Sequence, residues 1–239
     1  MKAVTKDNEC SQLASLPLAT PPRIQCFQKQ LLTWYKVYGR DLPWRRTRDP
    51  YRILVSEIML HQTQVDRVIP KYHEFLNAYP SFEALAAVPV EAVQQLWRPL
   101  GYNFRPGRLH QIAKAVVSEY NGKLPETIDE LMALPGVGRY TAGAILSFAF
   151  HKDAPILDTN AQRVLQRFFA VSGDPQRVPA KKQLWCLAEA VIPKGKAYLF
   201  NQAILDFGAL QCTARNPSCP TCSFSSLCPF PISQIAKLR

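Results

Sequence analysis

Three observations predict an all-α fold. Helical periodicity is nearly continuous along the 239 residues, strand signals are scarce, and most apolar-periodic runs are bounded by cap residues or glycines. "IQCFQKQLLTWYKVYG" places Phe27, Leu31, Leu32 and Tyr35 on one helical face and stops at Gly39. "DPYRILVSEIMLHQ" opens with Asp49 as cap and Pro50 at the first helical position, where a missing N–H costs nothing. Thr63 or a neighbour starts "QVDRVIPKYHEFLNAY", which Pro70 is expected to bend, and Ser81 caps "FEALAAV". "VEAVQQLWRPLG" and "PGRLHQIAKAVVSEYNG" each stop at glycine. Thr127 and Glu130 have capping-box spacing ahead of "LMAL"; "PGVG" then breaks the chain before "RYTAGAILSFAF". Beyond Asp158 follow "TNAQRVLQRFFAV", "AKKQLWCLAEAVI" and "KAYLFNQAILDFGALQC", giving about ten helices with short connections. No internal repeat or low-complexity segment interrupts them.

Composition narrows the function classes. With 29 Lys+Arg against 18 Asp+Glu the net charge is +11, a balance that favours a polyanionic partner such as nucleic acid. The longest mostly apolar stretch, "TAGAILSFAF", is far shorter than the ~20 residues that span a bilayer, so no membrane helix is expected. The first 22 residues lack an apolar run behind a basic start, which predicts a flexible N-terminal tail rather than a signal peptide, and a cytoplasmic location, nucleoid-associated in a bacterium. Four of the seven cysteines, Cys212, Cys219, Cys222 and Cys228, crowd near the end, which in a reducing compartment points to metal rather than disulfides.

"LPGVGRYTAGA", Leu134 to Ala144, reads as a helix, a glycine-bearing turn and a second helix. Gly136 and Gly138 let backbone approach a ligand without a Cβ in the way. The following helix offers free N–H groups and a positive dipole end, an arrangement that binds phosphate without reading a base. A plain helix-helix corner is the alternative for the motif alone. Glu57 lies mid-helix among Ile53, Leu54, Ile58 and Leu60; apolar company disfavours its ionised form and favours proton donation near neutrality, unless it lies on a solvated stripe. Asp158 in "ILDTN" stands where a helix starts. It reads as an N-cap, and the N–H groups and dipole there are expected to keep it ionised.

The hairpin, "LPWRRTRDPYRILVSEIMLHQTQV", "LWRPLGY", "ILDTNAQRV" and the cysteine loop occur in the order that resembles the helix-hairpin-helix, endonuclease III-like superfamily of DNA glycosylases, and within it the MutY-type adenine glycosylases. The resemblance covers about Pro22 to Pro229. It implies a six-helix barrel domain at 43–149 that carries the hairpin. An iron-sulfur cluster domain would be formed by 23–42 with 150–230, a C-terminal tail by 231–239, and the active site would lie in the cleft between the two domains. It implies base excision repair by a monomer acting on double-stranded DNA, with hydrolysis of the N-glycosidic bond of adenine mispaired with G or 8-oxoguanine. Glu57 is then the acid that protonates the purine, and Asp158 stabilises the oxocarbenium-like sugar.

Other roles follow from the same resemblance. Tyr140 stands where bifunctional relatives carry a Schiff-base lysine, so excision without β-lyase chemistry is expected, and Asn160 matches an asparagine that positions acid and water. Gln62 and Tyr102 match residues inserted beside the extruded nucleotide, and Arg45 matches one lining the adenine pocket. Arg105, Arg108, Lys114, Arg139, Arg163 and Arg215 are candidates for phosphate contacts. The cysteine spacing of six, two and five intervening residues could close on zinc or a cluster; it resembles the superfamily's loop for a 4Fe-4S cluster held by Cys212, Cys219, Cys222 and Cys228. Cys10, Cys26 and Cys186 read as ordinary thiols.

The chain also departs from the pattern. His61 replaces a usual glutamine and "GYNF" the usual paired tyrosines, and the C-terminal domain that recognises 8-oxoguanine is expected to be lacking. A mismatch thymine/uracil glycosylase of the same fold, or a non-catalytic iron-sulfur DNA-binding module, are the competing readings.

Overall fold

The computed structural model describes residue 13, residues 16–101 and residues 104–231. It is all-helical, with eleven α-helices and no strand among the described residues. No described helix is long and apolar enough to cross a membrane. The chain divides into two compact units, one of Asp41–Lys152 and one of the residues up to Arg40 together with those from Asp153 onward.

The Asp41–Lys152 unit holds α2 (Pro50–Leu60), α3 (Val65–Ala78), α4 (Phe82–Ala86), α5 (Val90–Trp97), α6 (Phe104–Tyr120), α7 (Ile128–Ala133) and α8 (Arg139–Phe148). Local signals start these helices. Oδ1 of Asp49 accepts from the N–H groups of Tyr51 and Arg52 ahead of Pro50, Ser81 Oγ accepts from Ala84, and Thr127 caps α7 at Glu130. Helix α2 is the central element: every side chain from Ile53 to Met59 is buried, and it packs on α3, α6 and α8. Burial on all sides is why its sequence lacks a polar stripe. Helix α3 runs through Pro70 and begins after Gln64, one residue later than a Thr63 cap would place it. Helix α6 begins at Phe104, ahead of its first proline, Pro106.

The other unit holds α1 (Pro21–Tyr38), α9 (Thr159–Phe169), α10 (Val178–Ala190), α11 (Ala197–Leu210) and the cysteine loop. Helix α1 starts three residues before Ile24 because consecutive prolines pre-set its first turn. It stops where a Cβ on Gly39 would meet the Tyr35 carbonyl at 2.6 Å. Phe27, Phe168, Phe169, Phe200, Phe207 and Phe224 form the aromatic centre of the core, with Phe27 4.9 Å from Phe168 and 5.1 Å from Phe224 by ring centroid. Arg40 ties the end of α1 to α11: its Nε donates to Asp206 Oδ1 at 2.8 Å and its own N–H to Oδ2 at 2.9 Å. The extended lead-in to α9 is pinned as well, by Asn201 Nδ2 donating to the Ala154 carbonyl and Gly195 N–H to Asp153.

Candidate active site

In the Asp41–Lys152 unit, Glu57 sits in the middle of α2 with only 4 % of its surface exposed. The Tyr140 hydroxyl donates to its Oε2 at 2.9 Å. Tyr140 reaches it because it is the second residue of α8, immediately after the hairpin turn. That turn needs a glycine at 136, whereas Gly138 has an ordinary extended backbone. Gly136 has φ +70°, and a Cβ there would fall 2.2 Å from Arg108 Nε; Gly138 caps α8 with no side chain, and the space its Cβ would take is open. The first N–H groups of α8 are thereby left without a side-chain acceptor from the cap, beside half-buried Arg139.

Around α2's end, Gln62 is exposed, with a left-handed backbone at φ +56°. His61 lies 6.4 Å from the Tyr140 ring by centroid, and burial, reinforced by Arg105 and Arg108, holds its imidazole below the ordinary range. Arg45 is half-buried in the 3-10 turn Pro43–Arg45, whose Trp44 packs edge-on against Tyr72. Tyr102 lies outside the described residues. Arg105 is not the surface cation that charge alone suggests: it is 2 % exposed and its guanidinium meets backbone carbonyls. Arg108 stacks over Phe104, 5.4 Å from its ring centroid.

In the second unit, Asp158 caps α9, with Oδ1 accepting from the Ala161 N–H at 2.7 Å and Oδ2 from Asn160 Nδ2 at 3.0 Å. These donors favour the ionised form expected at the cap, but they do not set the direction of its pKa alone. Burial pushes the carboxyl above its ordinary value, outweighing the N–H of Ala161, the Asn160 amide and the Arg163 charge, although part of the residue's surface remains exposed. Asn160 is held in turn by Arg163, whose Nη2 donates to its Oδ1 at 2.8 Å and to the Gly208 carbonyl at 2.6 Å; Arg163 Nε donates to the Cys212 carbonyl at 2.8 Å. Arg163 is thus engaged inside the protein. A Cβ on Gly208 would lie 2.7 Å from Asn160 Cβ, so a glycine inside α11 lets α9 come close. Neither link stood out in the sequence; the only signal was a mid-helix glycine, which costs about 1 kcal/mol against alanine and so asks for a packing reason.

Cys212, Cys219, Cys222 and Cys228 line one pocket with Val164, Phe168 and Phe207. Arg167 Nη1 donates to Cys212 Sγ at 3.4 Å and the Phe224 N–H to Cys222 Sγ at 3.4 Å. Burial, with the neighbouring cysteines adding to it, raises the thiols of Cys219 and Cys228, and that of Cys222 to about 11. Crowded thiols of this kind ionise only when cationic charge is placed among them. Among the described residues no three Cys, His, Asp or Glu side chains converge to hold a single ion. Four cysteines lining one pocket, with donors reaching the sulfurs of Cys212 and Cys222, form a thiol-rich site whose residues fit a metal group. Cys26 and Cys186 lie apart from this set.

Residues 55–190 match the family described as HhH-GPD superfamily base excision DNA repair protein. The chain is 40 % identical over 203 residues to the adenine DNA glycosylase of Buchnera aphidicola subsp. Baizongia pistaciae, covering 84 % of this chain and 57 % of that protein. It is 42 % identical over 214 residues to the adenine DNA glycosylase of Homo sapiens, covering 86 % of this chain and 39 % of that protein. The chain therefore spans about half the length of such relatives or less. A thymine-DNA glycosylase of Aeropyrum pernix is 38 % identical, with 86 % of this chain and 94 % of that protein covered. Among solved structures, a thermostable thymine-DNA glycosylase superposes with a TM-score of 0.83 at 36 % identity, covering 90 % of this chain and 99 % of that one. An endonuclease III trapped as a covalent DNA intermediate gives 0.79 at 25 % identity, with 90 % and 99 % covered. By this match, which takes in the helical hairpin, the chain belongs to the HhH-GPD superfamily of base excision DNA repair proteins.

Proposed function

We propose that this protein is a monofunctional DNA glycosylase that removes mispaired adenine from double-stranded DNA. The observation that carries the proposal is the buried carboxyl of Glu57 with the Tyr140 hydroxyl on it at 2.9 Å: an acid sheltered from water, oriented by a phenol where a lyase needs an amine. Glu57 delivers its proton to the departing purine as the C1′–N bond breaks and the bonding electrons leave with the base. The carboxylate of Asp158, fixed by Ala161 and Asn160, stabilises the positive charge that develops on the sugar, and water completes the hydrolysis. Gly136, Gly138 and Arg139 hold a backbone phosphate, while Gln62 and Tyr102 fill the stack from which the nucleotide is extruded and Arg45 faces the adenine. Cys212, Cys219, Cys222 and Cys228 hold a 4Fe-4S cluster, which when bound supplies the cationic charge that keeps the four sulfurs as thiolates. The names of the relatives at 40–42 % identity support adenine as the excised base.

A second reading, excision of thymine or uracil from mismatches, is favoured by the 38 % identity to a thymine-DNA glycosylase matched over nearly its whole length. A panel of end-labelled duplexes decides between them. Alkali-revealed breaks at A opposite G or 8-oxoguanine, lost in Glu57→Gln and Asp158→Asn, support adenine excision; intact A duplexes with processed T or U opposite G replace it. Unchanged behaviour in both acid variants favours the non-catalytic module, and a borohydride-trapped adduct contradicts the monofunctional assignment.

A further inference from the structure

The turn joining α2 to α3 carries an exposed non-glycine residue in left-handed conformation, Gln62 at φ +56°. Such a backbone is uncommon for glutamine and persists only where the surroundings hold it. Helix α2 ends at the same place, so its last carbonyls have no partner within the helix. Arg105, from α6, meets them. Its Nη1 donates to the carbonyls of Met59 at 2.8 Å and His61 at 2.5 Å, and lies 3.3 Å from the Ile58 carbonyl and 3.0 Å from Thr63 Oγ1. Its Nη2 donates to the carbonyls of Leu100 and Gly101, each at 3.2 Å. One side chain, 2 % exposed, fastens the chain on both sides of Gln62 and ties that turn to a second corner, where Gly101 has φ +71°.

We propose that Arg105 is a positioning residue for nucleotide extrusion, holding the 58–63 turn in the conformation that presents the Gln62 side chain to the base stack. The inference rests on Gln62 being the inserted residue and gives Arg105 no contact with DNA. A cation also suits the negative end of α2, but charge alone is not enough: a planar fork with five donors serves two sets of carbonyls at once, and a lysine ammonium does not.

The test compares wild type, Arg105→Lys, Gln62→Ala and the double variant in single-turnover excision, with 2-aminopurine beside the target adenine reporting unstacking by fluorescence. Each single variant is expected to lose the fluorescence rise and to slow excision on the order of tenfold, as misplacement of a positioning group does. The salt dependence of DNA binding stays that of wild type, and the double variant is no slower than Gln62→Ala because both changes act through one side chain. A wild-type rate in Arg105→Lys, a shallower salt dependence, or additive losses in the double variant overturns the inference. Amide exchange of residues 58–64 in the free protein separates this failure from failure of the functional reading. If wild type excises nothing, faster exchange in Arg105→Lys still upholds the clamp, and unchanged exchange overturns it. Should Arg105→Lys be too unstable to assay, Thr63→Val removes a single acceptor of the same guanidinium; faster exchange and a weaker fluorescence rise support the clamp, and no change in either overturns it.

Discussion

The Tyr140 hydroxyl donates to Oε2 of Glu57 at 2.9 Å, joining the first turn of α8 to the middle of α2 across 83 positions of sequence. The bond fixes one carboxyl oxygen of a buried acid. Tyr140→Phe keeps the ring and removes the donor. Its excision rate is expected to fall about tenfold, the kinetic equivalent of ~1.4 kcal/mol for one hydrogen bond to an acid, with little change in melting temperature. Single-turnover kinetics beside a thermal melt check both parts.

Asp158 links stability to pH. Its folded-state pKa is raised by burial, so the protonated form favours the fold and this contribution is lost as pH rises from the unfolded value, about 3.8, through the folded one. Asp158→Asn keeps a capping oxygen and removes the titration. Its melting temperature relative to wild type is expected to increase from acid to neutral pH, while its excision activity is lost. With Asp158 acting as a carboxylate, as proposed, the acid limb of the wild-type rate profile is expected above the ordinary aspartate range.

Arg163 connects Asn160, the neighbour that holds Asp158, to the carbonyl of Cys212. Arg163→Lys cannot reach Asn160, Gly208 and Cys212 together, so about 1.5–3 kcal/mol of charged hydrogen bonding is lost from the region. Lower iron content after purification and slower excision are expected together, read by iron analysis and single-turnover kinetics on the same sample.

Gly208→Ala puts a methyl group 2.7 Å from Asn160 Cβ and forces α9 away from α11. Overpacking of this kind costs typically 1–3 kcal/mol, and a denaturant melt is expected to show a loss in that range. Excision falls as well, because the displaced residue is the one that orients Asp158.

What the sequence disclosed was mainly local. The cap of Asp49 with Pro50, the Ser81 cap and the Thr127–Glu130 box each depend on neighbours within three or four residues, and each appears where its spacing places it. The burial of α2 on all sides was not legible, because the apolar run left open a solvated stripe for Glu57 that only the packing of α3, α6 and α8 closes. Nor was tertiary placement. Arg105 and Arg163 look like any surface cations until the carbonyls they serve are in place, and the sign of the Asp158 shift depends on how much of the protein packs over it rather than on the helix it caps. Gly208 is one glycine in a helical run, and only the approach of Asn160 explains it.

The most direct measurement is single-turnover excision from duplexes with A opposite G and A opposite 8-oxoguanine, by wild type and by Glu57→Gln. A break at A by wild type, slowed about a hundredfold or more in the variant, is the predicted result for loss of a general acid. Equal rates in the two proteins, or intact A duplexes while T opposite G is cut, would contradict it.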